Sequence, residues 1–333
     1  MPAVPCSVQA ATAGLPLIGT AGSCSAIVAI ELASPWAPRL KGSASSDPGL
    51  DAALERIGDR TSSLRVLFYD GDGRSEDGLH RVLLFDRGSG AFGGFTRREI
   101  AAPRAELAQV IDAIDFDPDG RVVAAPRLAA HPLHGPREQG RDIFVCTHGS
   151  RDACCGKMGF PLYRHLCERM AAPGVRLWRC SHLGGHRFAP TLLDLPSGRL
   201  FGHLRFEDAE WLHDGDAGSD RIRKHYRGLC ALPAPAQVLE RRMWERHGLR
   251  WLDARLLWRC EEEGDHASVE LSAFWQDGAQ SQCRGEVQRR GGGMQLVAES
   301  CGRDPEPPYS WELTSWSESR RLGELAGEKQ REQ

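Results

Sequence analysis

A chain of 333 residues is long enough for two domains with room for a small appendage, so its size alone demands no disulfide or metal staple. With 41% hydrophobic and 26% charged residues and a net charge of -3, the composition is that of a globular protein and argues against a dedicated binder of nucleic acid or acidic membranes. No run approaches the ~18 to 20 apolar residues of a membrane helix. The start, MPAVPCSVQAATAGLPLIGTAGS, lacks the basic end of a secretory signal, and 11 cysteines, an odd number, suit a reducing compartment. The expectation is a cytoplasmic protein with no membrane and no nucleic-acid partner.

The first forty-odd residues are rich in Ala, Gly, Ser and Pro, and the stretch from Ser25 to Leu32 reads as a short apolar strand stopped by Ser-Pro-Trp. LRVLFYD at 64 to 70 and HRVLLFDR at 80 to 87 are strand-like, while AELAQVIDAI at 105 to 114 has helical spacing. Residues 1–135 therefore read as an α/β domain, and APRLAAHPLHGPREQGR as the linker that follows.

A second unit over 136–235 begins with the buried strand DIFVCTH. MGFPLYRHLCERM is a helix with Leu162, Leu166 and Met170 on one face, VRLWRC is another strand, and TLLDLPSGRLFGHL is a hairpin around Pro-Ser-Gly. FEDAEWLHDG opens a closing helix. The order strand, helix, strand, hairpin, helix is compatible with a thioredoxin-like fold. The first domain is readable as a diverged copy of it, although no strong internal repeat is evident. The region 236–333 starts with the helix QVLERRMWERHG. LDARLLWRCEE, SVELSAFWQDG, SQCRGEVQRRGGG and MQLVAES then alternate as antiparallel strands before a charged, frayed end.

Chemistry concentrates in CTHGSRDACCGKMG and RCSHLGGHRF. Cys146 ends a strand and Cys155, with eight residues between them, stands just before a helix, so a single loop can bring both thiolates to one metal. His182 and His186 leave the next strand with Gly184 and Gly185 between them, which lets the backbone fold so that both rings face one point. Two sulfur and two nitrogen ligands suit zinc or a [2Fe–2S] cluster. Zinc-finger spacing is absent, and a Rieske site fails because no later C-x-x-H follows the C-x-H of Cys180 and His182.

CTHGSRDACCGKMG, SHLGGHRFAPTLLDLPSG and YRGLCALPAPAQV together resemble the sucrase/ferredoxin-like family, over roughly residues 140 to 250 with a weaker echo in PLIGTA and ELASPW. The resemblance implies a thioredoxin-like ferredoxin domain whose [2Fe–2S] cluster is held by Cys146, Cys155, His182 and His186. It also implies single-electron transfer between redox partner proteins, a flavin-dependent reductase among the candidates, rather than turnover of a substrate. The sucrase label finds no paired carboxylates to support it. Neutral imidazoles in place of two thiolates leave the oxidised site formally uncharged. The potential is then expected above the about -400 mV of plant-type ferredoxins, with a proton able to follow the electron onto an imidazole.

The rival classes are a zinc-stabilised interaction module on the same four ligands and a thiol–disulfide enzyme using Cys146 and Cys155; the latter lacks a C-x-x-C. Cys154 competes with Cys155 for the ligand role. Arg151, Asp152 and Lys157 read either as a solvated helix entry or as groups that orient the loop or dock a partner, and Arg187 as a group able to tune the potential. His148, His165 and His203 are expected to be structural or exposed. Cys6, Cys24, Cys167, Cys180, Cys230, Cys260, Cys283 and Cys301 are expected to pack, as are the tryptophans at 244, 251, 258, 275, 311 and 316.

Overall fold

Alternation at period two builds the first layer. In β1 (Ala26–Glu31), Ala26, Val28 and Ile30 enter one core and Ile27 and Ala29 the opposite one, so the strand is buried on both faces. The computed structural model describes residues 4–43, 45–71, 78–123, 140–170, 172–208, 211, 219–291 and 295–321. The linker expected at 125 to 141 lies almost wholly outside the described residues, as do the last ten residues and most of the helix expected after Phe206. A short helix unseen in the sequence, α1 (Cys6–Thr12), precedes β1.

After β1 come α2 (Pro48–Arg60), β2 (Leu64–Asp70), β3 (His80–Asp86), β4 (Thr96–Ala102) and α3 (Leu107–Asp112). The Asp47 side chain caps α2 by accepting from the Leu50 N–H at 2.9 Å. Leu50, Ala53 and Ile57 of α2 then pack with Val110 and Ile111 of α3 on one face of the sheet. A two-stranded ribbon, β5 (Asp115–Phe116) and β6 (Val122–Val123), closes this half.

The second half supplies β7 (Arg141–Cys146), α4 (Ala153–Arg169), β8 (Val175–Cys180), β9 (Leu192–Leu195), β10 (Arg199–Phe201), α5 (Ser219–His225) and β11 (Tyr226–Leu229). Its pairing repeats that of the first. β1 is parallel to β2 and antiparallel to β3, which pairs with β4; β7 is parallel to β8 and antiparallel to β9, which pairs with β10. Each half thus has the strand–helix–strand–hairpin arrangement of a thioredoxin-like fold. The halves meet at β2 and β8 to make one nine-stranded sheet.

That seam is only two residue pairs long, Tyr69 with Cys180 and Asp70 with Arg179. It is reinforced by the Phe68 N–H, which donates to Ser181 Oγ at 2.9 Å, and by an Arg179–Asp70 ion pair at 2.7 Å.

Beyond α6 (Ala234–His247), β12 (Arg255–Glu263), β13 (His266–Phe274), β14 (Gln280–Gly291) and β17 (Tyr309–Arg321) form a separate antiparallel sheet. Leu239 and Met243 of α6 join the core with Val269, Leu271, Cys283 and Val287 of this sheet. The fourth strand differs from the expected one. MQLVAES contributes only β15 (Val297–Ala298), paired with β16 (Pro305–Glu306), whereas YSWELTSWSESRR forms the long edge strand. No strand was expected over these polar residues, yet an edge strand tolerates them because one side faces water. Trp244, Trp251 and Trp311 are buried and Trp258, Trp275 and Trp316 pack against the core, so the tryptophans serve packing. Among the described residues no helix is long and apolar enough to cross a membrane.

Candidate metal centre

The parallel pair β7 and β8 places Cys146 directly beside Cys180 in register, so the chain leaves both strands at the same edge of the sheet. After β7 it turns into α4, whose first turn is fixed by Asp152: the carboxylate accepts from the Cys154 N–H at 2.8 Å. This cap starts the helix at Ala153, so Cys155 lies inside the first turn rather than before it. Gly159 lets the helix come close, since a Cβ there would collide with the Cys146 carbonyl oxygen. Leu162, Leu166 and Met170 bury the expected face of α4.

After β8 the HLGGH loop turns back on itself through left-handed backbone at Gly184 (φ +80°) and Gly185 (φ +69°). Two arginines hold it. Arg65 Nη1 donates to the Leu183 carbonyl at 2.7 Å, and Arg227 Nη1 to the Gly184 carbonyl at 2.9 Å. The His182 and His186 rings stack with centroids 4.1 Å apart, and Cys155 Sγ lies 3.9 Å from His186 Nδ1. Cys146 is close enough to Cys155 and His182 for both to act on its thiol. The expected ligands are therefore brought together as neighbours, Cys155 against His186 and His186 stacked on His182, with Cys146 beside Cys155 and His182. Cys146 and Cys155 are sealed from solvent, whereas the histidines line an open cleft of about 930 Å³ shared with Arg151, Arg187 and Arg303.

The electrostatics follow from this packing. The Cys155 hydrogen bond, reinforced by His182, holds the Cys146 thiol well below its usual pKa despite its burial. Cys155 is pushed up because it faces that thiolate, so the pair gives up its first proton readily and its second only to something stronger, such as a cation. Burial, helped by the neighbouring His182, lowers His186 to about 4, so the ring is neutral and able to ligate at pH 7. Arg227 is wholly buried beside the site. Desolvation and the nearby Arg65 lower it to about 9, still protonated at neutral pH and opposite in charge to the thiolates.

Sequence reasoning missed Arg65 and Arg227. The available signal was one charged residue inside each of two apolar runs, LRVLFY and YRGLCAL, where burial requires a partner. Cys180 behaves as expected of a packing thiol, raised by burial. His148 is buried, its ring Nε2 3.1 Å from the Ala37 carbonyl oxygen. His165 stacks on Phe206 and His203 packs edge-on to Phe188. Asp152 is no solvated helix entry but a buried cap, and Cys6 and Cys301 do not merely pack: they face Cys154.

Two thioredoxin-like halves with two thiols and two imidazoles gathered at the strand ends of one of them define an α/β protein with a candidate metal centre. The sequence pattern of the sucrase/ferredoxin-like family matches residues 17–228, and the chain belongs to that family. The match reaches both halves of the nine-stranded sheet and begins near the PLIGTA segment. Among curated proteins, Altered inheritance of mitochondria protein 32 of Meyerozyma guilliermondii is 31% identical over 94 residues, covering 26% of this chain. The matched part spans 33% of that relative's length. No solved structure matches.

Proposed function

We propose that this chain is an electron-transfer protein holding a [2Fe–2S] cluster on Cys146, Cys155, His182 and His186. The observation that carries the reading is the convergence of two buried thiols and two stacked, cleft-lining imidazoles from the ends of adjacent parallel strands. When bound, the cluster supplies a one-electron couple. Cys146 and Cys155 contribute the anionic charge, and the desolvated His186 contributes neutral nitrogen. Arg227 balances the thiolates from within the core while fixing the loop that carries the histidines.

Because the cysteines are sealed, the histidine side is where a redox partner reaches the site. The cleft there carries Arg151, Arg187 and Arg303 beside Glu299, Asp304 and Glu306, a mixed-charge rim that can set the register of a redox partner such as a flavin-dependent reductase. All eleven cysteines are free of disulfides, in keeping with a reducing cytoplasm.

The test is an anaerobic iron and sulfide analysis with an optical spectrum. The expected result is about two irons and two sulfides per chain, with visible absorption that bleaches on reduction. A colourless, iron-free protein would overturn the reading.

A proton at an imidazole favours the reduced state, so the midpoint potential is expected to rise as pH falls, by up to about 59 mV per unit. His186→Cys is expected to lower the potential and flatten this slope. A potential independent of pH in both proteins would show that no imidazole takes up a proton.

A further inference from the structure

The first turn of α4 carries sulfur on two sides. Cys154, next to the proposed cluster ligand, turns away from Cys146 toward Cys6 at the start of α1 and Cys301 in the loop after β15. The Cys6 sulfur lies 3.6 Å from that of Cys154 and 3.6 Å from that of Cys301, and the Cys154 and Cys301 sulfurs are 3.3 Å apart. The Asp152 carboxylate closes the group, with Oδ2 3.8 Å from Cys6 Sγ. All four ligand atoms lie within 4.8 Å of one another. We propose that Cys6, Cys154, Cys301 and Asp152 form a second metal site, which holds a single divalent cation of the zinc class and fastens both ends of the chain to the helix bearing Cys155.

The distances select the occupant. Zinc bound tetrahedrally at about 2.3 Å from each thiolate sets its sulfurs roughly 3.8 Å apart, close to the spacing seen. Three sulfurs equally near one another fit one ion and not a bridged pair, whose ligands are divided between two metals. A disulfide joins two sulfurs at about 2.05 Å and would leave the third over. Soft thiolates with one carboxylate suit zinc better than magnesium or calcium, which take oxygen ligands.

The surroundings are those of an oriented site. Asp152 accepts from the backbone N–H groups of Cys154 and Cys301 and from the Ser300 hydroxyl, each at 2.8 Å. Such donors disperse the negative charge that three thiolates and a carboxylate leave around a divalent ion. Cys6, Cys154 and Asp152 are buried, while Cys301 is half-buried on the wall of the cleft and offers a way in.

The three cysteines come from distant parts of the chain, Cys6 and Cys301 standing 148 and 147 positions from Cys154. α1 and the β15–β16 loop, neither of which belongs to the large sheet, would thus be held by coordination as well as packing. This site is independent of what occupies Cys146, Cys155, His182 and His186.

The test is a metal analysis of the anaerobically purified full chain and of two variants, Cys301→Ser and Cys6→Ser. The wild type is expected to carry one zinc per chain. Each variant should lose it by about ten-fold or more, with iron content and visible spectrum kept at wild-type levels. Zinc retained in both variants would overturn the assignment, since it would then sit elsewhere; a disulfide among the three cysteines in the anaerobic wild type would overturn it equally. If the variants prove insoluble, cobalt titration of metal-free Cys155→Ser decides. One equivalent bound with the intense visible bands of tetrahedral thiolate cobalt supports the site, and no such bands refute it.

Discussion

Cys155→Ser is expected to yield a protein without iron or visible colour, whereas Cys154→Ser keeps both and loses zinc. The two residues are neighbours in the chain but not in space, because successive positions of a helix point about 100° apart. Cys155 faces the histidine side, 3.9 Å from His186 Nδ1 and next to Cys146. Cys154 faces the opposite way, within 3.6 Å of Cys6 and 3.3 Å of Cys301. A serine at 155 offers a hydroxyl that resists deprotonation where a thiolate is needed, and it strands the second buried sulfur without its partner. Iron and zinc content, measured on the same anaerobic preparations, reads both outcomes. If Cys154→Ser lost the iron and Cys155→Ser kept it, the two assignments would have to be exchanged.

The four converging residues were legible because their chemistry is local. C-x8-C lies between a strand and a helix, and HLGGH carries two left-handed glycines, so each half of the site is encoded within ten residues or so. The triad of Cys6, Cys154 and Cys301 was illegible for the opposite reason. Its members are separated by 147 residues or more, and each alone reads as a small buried hydrophobe. Asp152 shows the same limit: from the sequence it is a plausible helix entry, and only the fold shows that its carboxylate also meets Ser300 and Cys301 from the far end of the chain.

Among the elements, strands with a continuous apolar run, such as β1 and β7, or with clean alternation, such as β13, were readable. The polar edge strand β17 was not, because half of its residues answer to water rather than to a core. The likeness between the two halves is a likeness of strand order and direction, properties of pairing that leave little trace in residue identity.

Asp142→Ala is expected to destabilise the fold by about 3 to 5 kcal/mol while leaving the metals in place. The carboxylate is fully buried near the start of β7, where it receives Arg97 Nε at 2.8 Å, Arg176 Nε at 2.7 Å and Trp178 Nε1 at 2.8 Å. Arg97 comes from β4 in the first half of the sheet, and Arg176 and Trp178 from β8 in the second, so one carboxylate ties the halves together away from their short seam. Removing it leaves two guanidinium groups and an indole N–H without their shared acceptor. Arg97 has little recourse to water, its side chain being 8% exposed, although Glu99 remains 2.6 Å away. Asp142→Asn should cost less, because it keeps one acceptor oxygen but turns an NH2 toward donors. Asp142 lies four residues, about 13 Å of strand, from Cys146, so iron and zinc content should stay at wild-type levels. Urea denaturation of the metal-loaded protein measures the effect. A loss below about 1 kcal/mol would mean that both arginines relax to solvent or to other carboxylates, and that the halves are held by apolar packing across the sheet rather than by this buried charge.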